Sequence, residues 1–452
     1  MPETKSPAPA ASSRVSTYAW FALGTLTLLN LLNYTDRYIF SALIHYIKQD
    51  TGYNDAQIGQ VGSAFTYIYT ICSPLFGYLG DRYRRGRLIA FGITVWSLAT
   101  AAAGLATNFI QLLVSRSAVG IGEANYATIA PGLLSDFFAK NRRSLVMSIF
   151  FATIPLGTAV GFVMGGYFGA PERLGWRHTL YLVGLPGLLT AIMAYTLREP
   201  KRGAMDNEPG EDKSAEAAEA PPGWVEGYKI LFSNRAYLLA SLGYAATTFA
   251  LGALVFWAPE WLSSNKGLSA DAASNVLAVC ALIGGFIGTM AGGIIGDWLS
   301  KRIHGALFWV CAGSGLLAAV PTLIAIVSDN KPVYLVCIFI AMTLVFLSNG
   351  PVNALLVNLV PANLRTTALG LVVVIIHVLG DGISVGLVGT ISTWLSKSKD
   401  SLPGFVIALG EFFHLNPRTQ TLSLALLLMP VAMLVSSALY ATGLRTREAK
   451  NT

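Results

Sequence analysis

The sequence predicts an all-α membrane protein whose twelve transmembrane helices form two pseudo-symmetric six-helix bundles. The 452 residues are 54% hydrophobic and 12% charged, and this charged share is about half that of an average soluble domain. Apolar runs of about 20 residues, the length that crosses a hydrocarbon core, follow one another along most of the chain. A short pattern of glycine, aspartate and basic residues occurs in each half, which indicates an internal duplication.

Polar breaks divide the apolar sequence into twelve predicted spans, numbered here in chain order. Their bounds are 18–46, 56–80, 87–107, 109–138, 143–168, 178–197, 236–263, 270–298, 305–328, 332–360, 364–396 and 421–444. The corresponding domains are a tail at 1–17, a first bundle at 18–197, a linker at 198–235, a second bundle at 236–444 and a tail at 445–452. The linker is rich in Pro, Ala and acidic residues, a composition that favours a flexible segment.

The distribution of basic residues predicts the orientation of the chain. Of the 31 Lys and Arg residues, 21 lie in the tails and even-numbered loops, 8 in odd-numbered loops and 2 within spans. This asymmetry follows the positive-inside rule, so we expect a multi-pass protein of the cell inner membrane with both termini in the cytoplasm. The basic loops then face anionic headgroups, and we expect no binding of nucleic acid. The tail at 1–17 has no signal-peptide pattern, so we expect it to be retained.

Two pairs of charged residues lie inside predicted spans of the first half: Asp36 and Arg37 in the first span, and Arg116 and Glu123 in the fourth. Each costs roughly 2.5 to 3.5 kcal/mol at the bilayer centre, so a purely structural span would not carry them unless they met one another or water. We therefore expect them to line an internal polar site. Arg116 and Glu123 are two helical turns apart and share a face. Pairing of Arg37 with Glu123 and of Asp36 with Arg116 fits their depths, although the sequence does not choose between arrangements.

The hypothesis for this cluster is proton coupling by Asp36 and Glu123 and binding of an anionic headgroup by Arg37 and Arg116. A substrate phosphate that takes the arginine leaves the buried carboxylate without its cation and favours the protonated form. Occupancy and proton uptake would then be linked, with a proton gradient as the energy source and no cofactor. The alternative is a static ion-pair network that fixes the first and fourth helices together.

Further candidate substrate-binding residues lie on other spans. His377 and Asp381 are four residues apart on span 11 and share a face, while Asn349 and Asn353 offer neutral hydrogen bonds on span 10. Phe65 and Tyr69 on span 2 are candidates for an apolar lining. For His377, the asparagines and the aromatic residues, packing within the helical core is the alternative role.

The chain lacks the patterns of enzymes and metal sites. There is no Walker loop, no His-Glu-x-x-His motif and no nucleophile elbow, so we expect neither an enzyme nor a metal site. The four cysteines fall in apolar spans without metal-ligand spacing, and we expect them to be core residues. A membrane-embedded receptor or a lipid-modifying enzyme is the alternative from another functional class.

Three strings resemble the spinster family of lipid transporters in the major facilitator superfamily. They are Asn-Tyr-Thr-Asp-Arg-Tyr at 33–38, Phe-Gly-Tyr-Leu-Gly-Asp-Arg-Tyr at 76–83, and the pattern from Arg116 to Pro131 that includes Gly-Glu-Ala-Asn-Tyr at 122–126. The resemblance implies the major facilitator fold, alternating access, and a lysophospholipid or sphingoid cargo, in some members coupled to protons. We expect an anionic amphiphile and membrane lipids as partners, and a monomer. A small organic-anion symporter or a multidrug exporter of the same superfamily is the alternative.

The resemblance also implies two local features. In the superfamily the loop after span 2 acts as a conformational latch, which here assigns Gly77, Asp81, Arg82, Arg85, Asp136 and, in the second half, Asp297. In that latch Arg85 pairs with Asp136. The alternative is a basic turn that only fixes topology. Thr35 stands where family members commonly carry Met, which would add a hydroxyl group beside Asp36.

Overall fold

The computed structural model describes residues 16–138, 146–147, 149–200, 224–360, 364–398 and 401–446, with side chains throughout except at positions 81, 224, 225, 365 and 366. These residues form helices and contain no strand, which confirms the all-α prediction for the described part of the chain. Most of each predicted tail and the greater part of the predicted linker lie outside it. So do the basic residues at 140, 142 and 143.

Six long helices build the N-terminal half. They are α1 (Thr17–Thr51), α2 (Asp55–Arg82), α3 (Arg85–Leu105), α4 (Phe109–Ser135), α5 (Thr153–Phe168) and α6 (Gly175–Thr196). Local sequence fixes their ends: Gly52 ends α1 with φ of 71°, a left-handed conformation that suits glycine. Asn54 then caps α2 in a reciprocal capping box with Gln57, so the turn between the two helices is short.

In the described part of the C-terminal half there are eight helices. They are α7 (Trp224–Ser233), α8 (Arg235–Ser264), α9 (Ala270–Ser300), α10 (Ala306–Val327), α11 (Lys331–Asn358), α12 (Thr367–Lys397), α13 (Gly404–Phe412) and α14 (Thr421–Gly443). Two of them, α7 and α13, were not predicted. Helix α7 occupies the end of the predicted linker, where Leu231 is buried while Ile230 and Phe232 are exposed. One apolar face is enough to hold a short helix against the protein.

Nine helices in the described ranges are long and apolar enough to cross a membrane. The long helices α1, α2 and α4 are not among them. Helices α1 and α4 carry the four intramembrane charges, and α2 carries the charged ends Asp55 and Arg82. The helices that fail the apolar criterion therefore include both helices that carry the charged cluster of the first half.

The distribution of the apolar core shows where the halves meet. We call the face at which α1 begins and α14 ends the termini face. Near the opposite face one cluster includes Ile39 and Phe40 of α1 together with Trp257 and Trp261 of α8, so it belongs to both halves. Toward the termini face the core divides into one cluster within each half. The halves are therefore joined at the opposite face and have separate cores at the termini face.

Glycines on α5 set the position of α1. A Cβ atom at Gly157 would lie 2.7 Å from the Leu31 carbonyl oxygen, and one at Gly161 would lie 2.6 Å from that of Thr35. Such distances leave room only for hydrogen, so the two helices approach to backbone contact. This contact fixes the rotation of α1, and with it the directions of Asp36 and Arg37.

We predict that Gly161→Ala destabilises the protein by about 1–3 kcal/mol, because the added methyl group must push α1 away from α5. The matched control is Gly132→Ala on α4, where a Cβ atom has no neighbour within 4 Å. That change is expected to be neutral or slightly stabilising. Thermal unfolding of both variants in the same detergent is the measurement, and equal melting temperatures would contradict the close-contact interpretation.

Candidate functional site

A buried ion pair joins α1 to α4 at mid-helix. The Nε and Nη2 atoms of Arg37 both lie 2.9 Å from Glu123 Oε2. The Glu123 side chain is fully buried, whereas 18% of the Arg37 side chain is exposed. Of the pairings that the sequence left open, Arg37 with Glu123 is thus the one that forms.

Asp36 and Arg116 do not form the second ion pair. Asp36 is buried, and its Oδ2 accepts a hydrogen bond of 2.6 Å from the Thr100 hydroxyl of α3. The other carboxylate oxygen, Oδ1, has no partner, and neither has Arg116 Nη1. The Arg116 guanidinium instead lies over the rings of Phe40 and Phe65, at 4.7 and 5.3 Å from their centroids. Opposite charges therefore share a buried region without direct contact.

Arg37 is the member of the cluster that reaches accessible space. Asp36, Arg116 and Glu123 are 2%, 3% and 0% exposed, so these three are enclosed by the helices of the N-terminal half. In this conformation the expectation that all four charges line one wet chamber is wrong, because helix packing covers three of them. Arg116 accordingly does not present its charge to a substrate here.

Three aromatic rings surround the Arg37 guanidinium. Its central carbon lies 5.3 Å from the ring centroids of Tyr34 and Phe65 and 4.8 Å from that of Tyr69. Cations over aromatic faces are stabilised by the ring quadrupole. The predicted residues Phe65 and Tyr69 thus contact the predicted cation Arg37 directly.

The C-terminal half contributes His377 and Asp381 next to this aromatic group. The Tyr69 ring meets the His377 ring edge-to-face at 5.6 Å, and His377 Nδ1 lies 3.0 Å from Asp381 Oδ1. Both side chains are partly exposed, at 21% and 28%. Tyr69 therefore contacts the charged cluster of one half and the His–Asp pair of the other.

A π-helical segment of α12, Ile376–Asp381, carries this pair. Within it Gly380 has non-helical angles, with φ of −94° and ψ of −111°. A Cβ atom at Gly252 of α8 would overlap Asp381, so the bulge packs closely on α8. Single-turn π segments are frequent at functional sites because they redirect side chains. Nothing in the sequence pattern indicated this segment.

The side chains of Asn353 and Thr35 donate hydrogen bonds to backbone carbonyls. Asn353 is exposed, and its Nδ2 donates to the Asn349 carbonyl one turn earlier at 2.8 Å. The Thr35 hydroxyl donates to the Leu31 carbonyl at 2.8 Å and to the Gly157 carbonyl of α5 at 3.3 Å. The hydroxyl of Thr35 is therefore turned toward α5 and does not add a polar group beside Asp36, contrary to the expectation.

At the termini face, the ion pair expected for the latch is present. Arg85 Nη2 lies 2.6 Å from Asp136 Oδ2, and Arg85 Nε donates to Glu199 Oε1 at 2.9 Å. A Cβ atom at Gly80 would lie 2.9 Å from the Ile129 side chain, so α2 and α4 approach closely there. The role of these contacts as a latch stays a prediction.

The other predicted latch residues have varied surroundings. A Cβ atom at Gly77 would lie 3.4 Å from Thr128, and Arg82 lies over the Tyr78 ring at 4.0 Å. Asp297 is exposed at the equivalent end of α9. The side chain of Asp81 lies outside the described residues.

Sequence reasoning missed Thr100, Glu199 and Glu260. Glu260 pairs with Lys48 across the two halves, and it is the single charged residue in the predicted span 236–263. A single acidic residue in an apolar span could have been recognised from the sequence as a candidate for an ion pair. Thr100 and Glu199 carried no comparable signal, because a threonine in a helix and an acid in a loop are common. Within the described ranges, no three His, Cys, Asp or Glu side chains are grouped closely enough to hold a metal ion.

Comparisons with known proteins identify the family of this chain. The family model described as Major Facilitator Superfamily matches residues 26–385. The chain is 29% identical to protein spinster of Drosophila melanogaster over 86% of its own length and 64% of that relative's. It is 33% identical to the mouse (Mus musculus) sphingosine-1-phosphate transporter SPNS2, over 86% of this chain and 75% of that protein.

A solved structure shares the fold. It is that of a bacterial homologue of the human lysosomal transporter spinster, in an inward-facing and unoccupied conformation. The TM-score is 0.82, the sequence identity is 23%, and the match covers 95% of this chain and 98% of that one. At this identity the likeness concerns the fold alone.

We predict that Arg37→Met destabilises the protein by about 3–5 kcal/mol, because it leaves the Glu123 carboxylate buried without its cation. The double variant Arg37→Met/Glu123→Met should regain most of the loss, since it removes both charges. Arg302→Met is the control, because that arginine is exposed over the Trp298 ring. Chemical unfolding of the four proteins is the measurement. A double variant that is no more stable than Arg37→Met would mean that the buried Glu123 charge does not cause the loss.

Proposed function

Since the chain is a membrane transporter of the major facilitator superfamily and belongs to its spinster family, we propose that it moves an amphiphile with an anionic headgroup, of the lysolipid or phosphorylated sphingoid type, by alternating access. The observation that carries the proposal is the environment of Arg37. Its guanidinium contacts a buried carboxylate, three aromatic rings flank it, and 18% of the Arg37 side chain is exposed. A cation held in this way can exchange its carboxylate for a substrate phosphate.

The headgroup is proposed to lie between Arg37 and the His377–Asp381 pair. A guanidinium binds phosphate through parallel hydrogen bonds, and Asp381 suits an ammonium or hydroxyl donor on the same headgroup. Tyr69, which contacts both Arg37 and His377, would border the headgroup, and Phe65 would border the first part of the chain. Asn349 and Asn353 are proposed as neutral contacts from α11. Arg116 would contact the headgroup only after a rearrangement that exposes its side chain.

Asp36 and Glu123 are proposed to couple transport to protons. Each has one carboxylate oxygen without a partner. If a phosphate takes Arg37 away from Glu123, the enclosed carboxylate loses its compensating charge, and binding a proton restores neutrality. Asp36, near the uncompensated Nη1 of Arg116, would be the second proton site. The proton gradient would supply the energy, without any cofactor.

The cellular setting is proposed from the sequence and the family. We place the protein in the inner cell membrane as a monomer surrounded by membrane lipids, with both termini in the cytoplasm. The contacts of Arg85 with Asp136, together with Gly77, Asp81, Arg82 and the equivalent Asp297, would form the latch between helices at the cytoplasmic face. In this orientation the conformation described above is closed on the outside.

Proton coupling predicts a specific loss in transport assays. Uptake of a fluorescent lysolipid into proteoliposomes should rise when a proton gradient is imposed, and this rise should be lost in Asp36→Asn and Glu123→Gln. The exposed Glu226→Gln variant on α7 is the control and should keep the wild-type response. An unchanged gradient response in both buried variants would defeat the titration role.

Headgroup binding predicts a loss of affinity in Arg37→Lys. Lysine keeps the charge but lacks the planar fork, so we expect roughly 10- to 100-fold weaker binding of an anionic lysolipid, the equivalent of about 1.5–3 kcal/mol. The exposed Arg302→Lys variant should bind normally. Competition separates the candidate cargo classes: lysolipids should displace the probe and small carboxylates should not. Displacement by carboxylates alone would favour an organic-anion symporter.

A further inference from the structure

Four ionisable side chains meet across the two halves at the face opposite the termini. They are His45 and Lys48 of α1, Asp55 of α2, and Glu260 of α8. Lys48 Nζ lies 2.7 Å from Asp55 Oδ1 and 2.5 Å from Glu260 Oε1. His45 Nδ1 lies 3.0 Å from Glu260 Oε2. Helices α1 and α2 belong to the N-terminal half and α8 to the C-terminal half, so Glu260 is held entirely by groups from the other half.

These contacts are shielded from water. The Glu260 side chain is 3% exposed, that of Asp55 13% and that of Lys48 23%. Removing one partner of a buried charge pair costs more than removing one partner of an exposed pair, which salt and water already screen. Among the described residues, no other lysine or arginine lies within 4.0 Å of Glu260. Lys48 is therefore its principal counter-ion.

Asp55 ties the same group to a second helix of the C-terminal half. Its Oδ2 accepts a hydrogen bond of 2.6 Å from the Ser392 hydroxyl of α12. Next to it, the Ala56 backbone N–H donates to the Thr393 hydroxyl at 2.7 Å. Lys48 thus bridges two carboxylates. Glu260 belongs to the C-terminal half, and Asp55 belongs to the N-terminal half but binds Ser392 of the C-terminal half.

A proline inside α8 is accompanied by a further contact between the halves. Pro259 has no N–H group, so the carbonyl four residues earlier, that of Val255, has no donor within its helix. The Ser41 hydroxyl of α1 lies 3.0 Å from the Val255 oxygen and 2.6 Å from the Phe256 oxygen. Closure therefore satisfies a backbone group that the proline leaves free.

We propose that His45, Lys48, Asp55 and Glu260 form an ionic clamp that holds this face closed, and that Glu260 must leave Lys48 and His45 for the face to open. Opening affects the partners of Lys48 and of Glu260 differently. Lys48 keeps Asp55, since both belong to the N-terminal half, while Glu260 loses its described ionic partners. Removing the charge of Glu260 therefore weakens the closed state more than the open one. The inference rests on alternating access in the proposed function and needs neither the cargo nor the protons.

The remaining charges at this face do not substitute for the clamp. Asp50 binds Arg177 at 3.2 Å and the Trp176 indole at 3.1 Å, all within the N-terminal half. Arg173 and Asp271 do face each other across the halves, but at 3.9 Å and with about a third or more of each side chain exposed. Such a pair contributes little.

Distances across the opposite face test the clamp. Spin labels are placed at Thr107 and Ser401, exposed loop positions of the two halves, after Ala replaces the partly exposed Cys72 and Cys337. Pulsed dipolar spectroscopy in lipid nanodiscs, without cargo or gradient, then gives the distance distribution. We expect mainly the short distance in the parent protein. In Glu260→Gln and in Lys48→Met, the fraction at long distance should rise several-fold.

Lys266→Met is the matched control. Lys266 is another buried lysine at this face, but its ammonium group donates to the Ile326 and Ser328 carbonyls of its own half. Its loss should lower the melting temperature and leave the distance distribution unchanged. A Glu260→Gln or Lys48→Met protein that is folded by size exclusion and keeps the parent distribution would overturn the clamp. If one variant does not fold, the other decides. Because no transport is measured, the outcome is independent of the proposed cargo and coupling.

Discussion

The pairing of Arg37 with Glu123 is the interaction on which the rest of the site depends. Glu123 is fully enclosed, and a buried carboxylate persists as an ion only beside a cation or after taking up a proton. Arg37 can meet that requirement because the glycines of α5 bring α1 into backbone contact and so fix its rotation. Because 18% of the Arg37 side chain is exposed, we propose that this arginine can bind two alternative anions in turn.

Helix α1 connects the central site to the opposite face. Arg37, Ser41, His45 and Lys48 follow at helical spacing on one side of α1, and residues three or four apart lie next to each other on a helix. The first of them holds the charge of the central site, and the other three contact α8 of the other half. If α1 moves when Arg37 changes its partner, the same movement shifts His45 and Lys48 relative to Glu260 of the clamp.

The sequence predicted the helical fold, the family and most members of the central site, because charges inside apolar spans and duplicated loops are physical signals that need no coordinates. The family and fold are confirmed by the matching family model and relatives. The sequence could not predict features that depend on the rotation of each helix and on its depth in the membrane. The absent contact between Asp36 and Arg116, the direction of the Thr35 hydroxyl and the π segment at His377 are set by packing between distant helices. Glu260 was within reach of sequence reasoning, since a single acid in an apolar span needs a partner.

A structure with a lysophospholipid bound tests the central claim most directly. We expect the phosphate within hydrogen-bonding distance of Arg37, next to Tyr69 and His377, with the Arg37–Glu123 contact lengthened or lost. A phosphate bound elsewhere, with Arg37 still 2.9 Å from Glu123 as it is now, would contradict the exchange of partners at this arginine.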